Sequence, residues 1–116
     1  MKTFAQGEIY CRKIDALPDG LAAFTEKNNA GDWIVAHSES GNHHVIDAPG
    51  VTVMERTKDV PPGMRILLAI VDEPSTLRQD AGSNPHEAHD LAPGIYELRI
   101  AREYDPFTEQ ARRVSD

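Results

Sequence analysis

The sequence predicts an all-β fold, mainly antiparallel, built as a single small barrel or sandwich of about seven strands. Three observations support this prediction. Turn signals recur roughly every 8–12 residues, the runs between them are rich in β-branched residues, and helical patterns are scarce. The turn signals are LPDG 17–20, NNAG 28–31, SGN 40–42, APG 48–50, PPG 61–63, DEPS 72–75, AGSNP 81–85 and APG 92–94.

The strands are expected between these turns, near 6–14, 32–39, 43–48, 51–57, 65–71, 76–80 and 95–104. The last run alternates most clearly, because Tyr96, Leu98 and Ile100 share one face, as in a half-buried antiparallel strand. By contrast, RILLAIV at 65–71 is apolar on both faces. We therefore expect this run to be a central strand that is covered on both sides.

Two segments could form short helices. DGLAAFTEKNN, 19–29, is long enough for two turns and has Asp19 as a candidate N-cap. DPFTEQARRV, 105–114, places Asp105 at the N-cap and a proline at N1, which predicts a short C-terminal helical turn. Segment 78–92 is expected to be irregular, and no internal repeat is evident. The chain 1–116 is therefore predicted to be a single β domain.

Composition argues against several partners and compartments. The net charge is −7 and the basic residues form no tract, which disfavours nucleic acid and anionic membranes. Cys11 is the sole cysteine, so no internal disulfide can form, and we expect this side chain in the core. No apolar run approaches the ~20 residues that span a bilayer, and no signal peptide is evident. These features predict a cytoplasmic protein.

The stretch AHSESGNHHVID, 36–47, is the densest concentration of chemically active side chains. A two-residue hairpin turn would place His37, Glu39 and His44 on one sheet face. Two imidazoles and a carboxylate form a ligand set for a divalent transition metal, which would be the cofactor of such a site. His89, in a second cluster, is the candidate for a further ligand.

This metal site depends on the length of the turn. Turns at Ser40-Gly41 or Gly41-Asn42 both satisfy the condition, whereas a three- or five-residue turn brings His43, not His44, beside His37. The alternative interpretation is a polar hairpin rim without a ligand, and the loose spacing favours it. The motif is less specific than paired CxxC or HExxH sequences.

A second candidate surface lies at the end of the last predicted strand. Arg102 and Tyr104 share a face with Tyr96, and an arginine–tyrosine pair can hold an anion or a planar ligand. The alternative is an arginine stacked on a tyrosine at the edge of the core, which we favour. The sequence contains no nucleophile elbow and no phosphate-binding glycine loop, so it does not favour an enzyme.

The sequence resembles two families. The spacing of Gly31, His37, Glu39, His44 and Gly50 is similar to the first cupin motif, with Glu and His exchanged, which implies a metal-binding β-barrel. The pieces QGEI 6–9, AHSESGNHHVI 36–46, LAPGIY 91–96, REY 102–104 and RRV 112–114 resemble a family of small uncharacterised bacterial and phage-associated proteins. This second resemblance implies a compact domain without an established activity.

Three functions are compatible with these features. The first is a non-catalytic binding or accessory protein that acts through a protein partner. The second is a small metal-binding β-barrel, and the third is a structural protein that assembles into homo-oligomers through exposed edge strands. We rank them in that order, because the chain is small and acidic and has no specific catalytic motif.

Overall fold

A computed structural model describes residues 3–6, 9–37, 43–79 and 88–101, with only the backbone described at 3–6 and 101. Within these ranges the chain forms ten strands and no helix. The strands are β1 Thr3–Gln6, β2 Ile9–Ile14, β3 Leu21–Ala23, β4 Trp33–Ala36, β5 His44–Ile46, β6 Val51–Arg56, β7 Met64–Val71, β8 Ser75–Gln79, β9 His89–Leu91 and β10 Gly94–Ala101.

The strands form two antiparallel sheets. One has six strands in the order β1-β2-β10-β7-β6-β3, and the other has four in the order β4-β5-β8-β9. Every strand pair that the structure describes is antiparallel. Neither sheet closes on itself among these residues. The predicted all-β antiparallel class is confirmed, and of the two predicted architectures the structure shows the sandwich.

The core lies between the sheets, because alternation gives each of them one apolar inner face. The six-stranded sheet contributes side chains such as Cys11, Leu67 and Leu98, and the four-stranded sheet contributes Trp33 and others. The Trp33 indole Nε1–H donates to the Val51 carbonyl at 3.0 Å. The one polar atom of the largest aromatic ring is therefore satisfied inside the core.

The predicted helix at 19–29 is wrong. Residues Leu21–Ala23 form β3 and pair with β6, and Lys27 then bridges to Trp33 beside β4. The Ile34 N–H donates to the Glu26 carbonyl at 3.0 Å. The segment thus passes from the edge of one sheet to the edge of the other. A two-turn helix is marginal by itself, and pairing with two sheets outweighs its weak propensity.

Two other predicted boundaries also differ. The strand expected at 6–14 begins later, as β2, and an additional strand, β1, precedes it and pairs with it, with Gln6 opposite Ile9. The irregular stretch expected at 78–92 contains β9, which pairs with β8. The ten strands therefore exceed the predicted number, since short strands at sheet edges give weak sequence signals. The helical turn predicted at 105–114 lies outside the described residues.

The chain path contains a topological repeat that the sequence does not reveal. Within β3–β6, the first strand β3 pairs with the last strand β6 in the larger sheet, and β4 and β5 form a hairpin in the smaller sheet. The same arrangement recurs in β7–β10. Pairings β6–β7 and β5–β8 join the two units side by side. The tripeptide APG stands at the same crossover in both, at 48–50 and at 92–94.

The crossover glycines are required by their backbone geometry. Gly50 has φ 73° and Gly94 has φ 152°, both outside the regions that L-residues favour. A Cβ atom at position 50 would also lie 2.8 Å from the Glu73 Cβ. The Gly50 carbonyl accepts a hydrogen bond from the Asp72 N–H at 2.7 Å, which ties the crossover to the end of β7.

Candidate binding surface

The histidine hairpin adopts the parity that brings His43, not His44, beside His37. The ladder pairs Ala36 with His44 after an irregularity between Ile34 and Ala36, so neither two-residue-turn register is formed. The ring centroids of His37 and His43 are 4.8 Å apart in an edge-on arrangement. Glu39 lies outside the described residues.

The three predicted histidine ligands occupy different environments. The side chain of His37 is 46% exposed, whereas His44 is buried opposite Gln79 in β8. His89 begins the edge strand β9, opposite Leu77. Among the residues that the structure describes, no group of three His, Cys, Asp or Glu side chains could hold a metal ion.

His37 instead joins an ionic network at one end of the sandwich. Its Nε2 lies 2.8 Å from the Glu26 Oε1. Arg65 donates to the other Glu26 oxygen at 2.7 Å and to both oxygens of Glu55 at 3.0 and 3.1 Å. The Arg65 guanidinium also lies 5.0 Å from the centre of the Phe24 ring. One arginine thus joins β6, β7 and the crossing segment.

This network sets the charge state of Glu26. Burial raises the pKa of Glu26, but the hydrogen bonds and charges of His37 and Arg65 outweigh burial and lower the pKa below its ordinary value of 4.5. Glu26 is therefore ionised at neutral pH. Two carboxylates share one arginine, so the network has more hydrogen-bond acceptors than donors. We interpret it as an ion-pair cluster that stabilises the fold.

A second network covers the outer face of the four-stranded sheet. The Arg78 Nε donates to Asp47 at 2.9 Å, and its Nη2 donates to Asp32 at 3.1 Å. The remaining Asp32 oxygen accepts the Ala48 N–H at 2.9 Å. Again two carboxylates surround one guanidinium, so this network has more negative than positive charge.

The outer face of the six-stranded sheet has a different composition. Its side chains form three rows across the strands, each fixed by the register. The first row is Ile14, Ile95, Ile70 and Thr52; the second is Arg12, Glu97, Leu68 and Met54; and the third contains Tyr10, Arg99 and Ile66. Most of these side chains are apolar, and Glu97 is the sole carboxylate in the three rows.

Glu97 is buried at the centre of this face and holds two arginines. Its Oε1 accepts a hydrogen bond from the Arg12 Nε at 3.0 Å and from the Arg99 Nε at 2.8 Å. The Glu97 side chain is 4% exposed, against 40% for Arg12 and 38% for Arg99. The terminal nitrogens of both guanidiniums make no hydrogen bond to a described residue.

The charge of Glu97 is maintained by the two arginines. Burial raises the pKa of Glu97, but the hydrogen bonds and charges of Arg99 and Arg12 outweigh it and lower the pKa below 4.5. Two guanidiniums then share one carboxylate at neutral pH. This cluster has the reverse charge ratio of the other two, and it is cationic on an otherwise acidic protein.

Tyr96 does not contribute to the surface that the sequence predicts around Tyr96, Arg102 and Tyr104. Tyr96 is 1% exposed within the core, and its hydroxyl donates to the Ala92 carbonyl at 2.7 Å, like the tyrosine corner of other sandwiches. Burial raises the pKa of Tyr96, and Cys11 adds to this effect. Cys11 is itself buried, as predicted. Arg102 and Tyr104 lie outside the described residues.

Sequence reasoning missed the residues of the cationic cluster. Arg12 and Glu97 are 85 residues apart, so no local pattern joins them. One signal was present, since Glu97 and Arg99 interrupt an otherwise apolar strand that pairs with the apolar run at 64–71. A carboxylate opposite a buried leucine requires a cationic partner from the neighbouring strand.

The sequence profile of a protein family described as a domain of unknown function, DUF8820, matches residues 5–101. The chain belongs to this family. The match ends with β10 and spans all ten strands except the first residues of β1. No curated protein and no solved structure matches the chain. Within the DUF8820 domain, no described helix is long and apolar enough to cross a membrane.

Proposed function

We propose that this DUF8820 protein is a non-catalytic, cytoplasmic binding or accessory protein of bacterial or phage origin. It holds a partner protein on the outer face of its six-stranded sheet. The observation that carries the proposal is the arginine pair on Glu97, whose terminal nitrogens have no acceptor among the described residues. The resemblance of the sequence to small phage-associated proteins is consistent with an accessory role.

The cluster is suited to binding because it is already in position. Each guanidinium is fixed by its Nε to a buried oxygen, and both lie on central strands rather than on loops. A partner that approaches this face meets oriented donors and loses little side-chain entropy from the protein. Arginine is also enriched in protein interfaces, where its planar fork recognises carboxylates.

The test compares partner capture by two matched variants. Arg12→Gln/Glu97→Gln/Arg99→Gln removes the cationic cluster without leaving a buried unpaired charge. Lys58→Ala makes the same net change, the loss of one positive charge, at an exposed position elsewhere and is the control. Quantitative mass spectrometry of proteins retained from a lysate of the source cell should identify one that binds wild type and the lysine variant but not the glutamine variant.

The folded state of each variant must be established first, by circular dichroism and thermal unfolding. A partner that is retained equally by the folded glutamine variant would contradict the proposal, because binding would then use another surface. Retention lost in both variants would indicate a general charge effect rather than a specific surface.

A further inference from the structure

We infer that the partner segment is extended and acidic, with the side-chain pattern apolar–any–acidic–any–apolar. This inference rests on the proposed binding function and specifies its ligand chemistry. It depends on three features of the outer face: the terminal N–H donors of the arginine pair, the apolar groups on either side of Arg12 along β2, and the spacing of the rows.

The donors define the central position of the ligand. A guanidinium carries five N–H donors in a planar fork, and Arg12 and Arg99 each use the Nε–H on Glu97. The terminal nitrogens of both residues are the matching donors for a carboxylate, which accepts two parallel hydrogen bonds from such a fork. One partner carboxylate would restore the balance of charge that Glu97 alone does not provide.

The apolar groups define the two flanking positions. Tyr10, which is 49% exposed, lies two residues before Arg12 on β2 and directly opposite Arg99. On the other side of Arg12, the cross-strand row of Ile14, Ile95 and Ile70 is partly exposed. Along β2 the order is therefore aromatic, cationic, apolar. A ligand that places only charge here would leave both apolar groups in water.

The spacing of the rows matches an extended chain. Successive rows are two residues apart on the same strand, which is about 7 Å at ~3.3 Å per residue. Side chains on one face of an extended ligand repeat at that same distance. A ligand with an acidic residue at its centre and apolar residues two positions before and after it would meet Tyr10, Arg12 and Ile14 along β2, where the three rows are exposed.

Nucleic acid does not fit this surface. The protein carries a net charge of −7, and a phosphate backbone requires several cationic contacts along its length. The three rows offer one arginine pair beside isoleucines. The carboxylate of a protein segment satisfies both the donors and the apolar groups, whereas a phosphate chain satisfies the donors alone.

The experiment uses synthetic peptides of defined pattern and the full-length protein. The first contains leucine-threonine-glutamate-threonine-leucine between capped ends. The second has glutamine in place of glutamate, and the third has leucine-glutamate-threonine-threonine-leucine, which moves the carboxylate to the opposite face of an extended chain. Inorganic phosphate is the fourth ligand. Titrations are followed by the NMR signals of the arginine Nε–H groups and of the Tyr10 amide.

The first peptide should shift the signals of Arg12, Arg99 and Tyr10 and should bind about tenfold more tightly than the second and third. Arg12→Gln/Glu97→Gln/Arg99→Gln should abolish this difference, and Lys58→Ala should preserve it. Equal binding of the glutamate and glutamine peptides would overturn the inference. Binding of phosphate without the first peptide would also overturn it, since the site would then take a small anion.

Two further outcomes separate the inference from the proposed function. If the lysate partner depends on the arginine pair but the first peptide does not bind, the binding function stands and the acidic pattern is wrong. If instead the protein dimerises with rising concentration and the glutamine variant does not, a second copy is the occupant. That result would overturn the inference, and sedimentation velocity measures it directly.

Discussion

The outer faces of the two sheets use the same components in opposite proportions. On the four-stranded sheet, one arginine, Arg78, is held between two aspartates. On the six-stranded sheet, one glutamate, Glu97, is held between two arginines. The first arrangement completes the arginine's pairing and leaves acceptors in excess. The second satisfies the Glu97 carboxylate and leaves N–H donors of the two arginines in excess among the described residues.

The two faces also differ in how strongly their carboxylates depend on arginine. Glu97 is buried and must be neutralised, whereas Asp47 is 39% exposed and can be hydrated. The arginines of the larger sheet are therefore required by the carboxylate beneath them. Each arginine contacts this carboxylate through its Nε, so its terminal nitrogens are left to bind other acceptors.

The largest expected effect comes from the centre of the larger outer face. Leu68 is fully buried there, so Leu68→Ala should lower the free energy of unfolding by about 3 kcal/mol. Ile34→Ala, on the partly exposed outer face of the smaller sheet, should cost about half as much or less. Urea unfolding measures both values. Equal losses would mean that Ile34 is packed as fully as Leu68.

The next effect distinguishes the two shared groups. Glu97→Ala leaves two guanidiniums without their acceptor and should cost about 2 kcal/mol, because the half-exposed arginines recover some hydration. Asp47→Ala leaves Arg78 paired with Asp32 and should cost less than about 1 kcal/mol. The same urea assay applies. A larger loss for Asp47→Ala would reverse the proposed difference between the faces.

Acid should weaken the fold through Glu97. Because the folded pKa of Glu97 is lowered from 4.5, its ionised form stabilises the fold fully above that pH. The contribution is lost as pH falls through the lower folded pKa, and Glu26 acts in the same direction. Glu97→Gln should therefore flatten the decline of stability below about pH 4.5. Unfolding curves from pH 7 to 3 test this, and an unchanged decline would contradict it.

The smallest effect is expected at the hairpin end. His37 is half-exposed, and Glu26 keeps Arg65 as a partner when the imidazole is removed. His37→Ala should therefore change the free energy of unfolding by less than about 1 kcal/mol and leave the peptide titration unaltered. A loss of peptide binding in this folded variant would show that the peptide binds near His37 and not at the arginine pair, which would contradict the proposal.

The sequence was sufficient for the fold class because the strands carry their own periodicity. Tyr96, Leu98 and Ile100 point into the core as their alternation predicts, and the doubly apolar run at 65–71 is a central strand. Short edge elements were missed, since three residues such as Leu21–Ala23 contain less than two periods of alternation. Their conformation is decided by pairing with distant strands.

The candidate surfaces were harder to predict for a different physical reason. The face on which His37 lies depends on one irregularity between Ile34 and Ala36, and a shift of one residue reverses every later side chain. The Arg12–Glu97 pair depends on a register between strands that are distant in sequence. Local patterns determine the faces of a strand, but they do not determine its neighbours.

The pairing of β2 with β10 has a consequence for the order of folding. Each of the two repeated units, β3–β6 and β7–β10, can form from strands that are near in sequence. Strand β2 instead pairs with β10, and the Arg12–Glu97 pair across these strands joins residues 85 positions apart. The entropic cost of closing that long loop is offset only when β10 pairs with β2. A chain in which β10 has not yet paired with β2 therefore lacks the arginine pair on Glu97, and under the proposed function it would not hold a partner on this face.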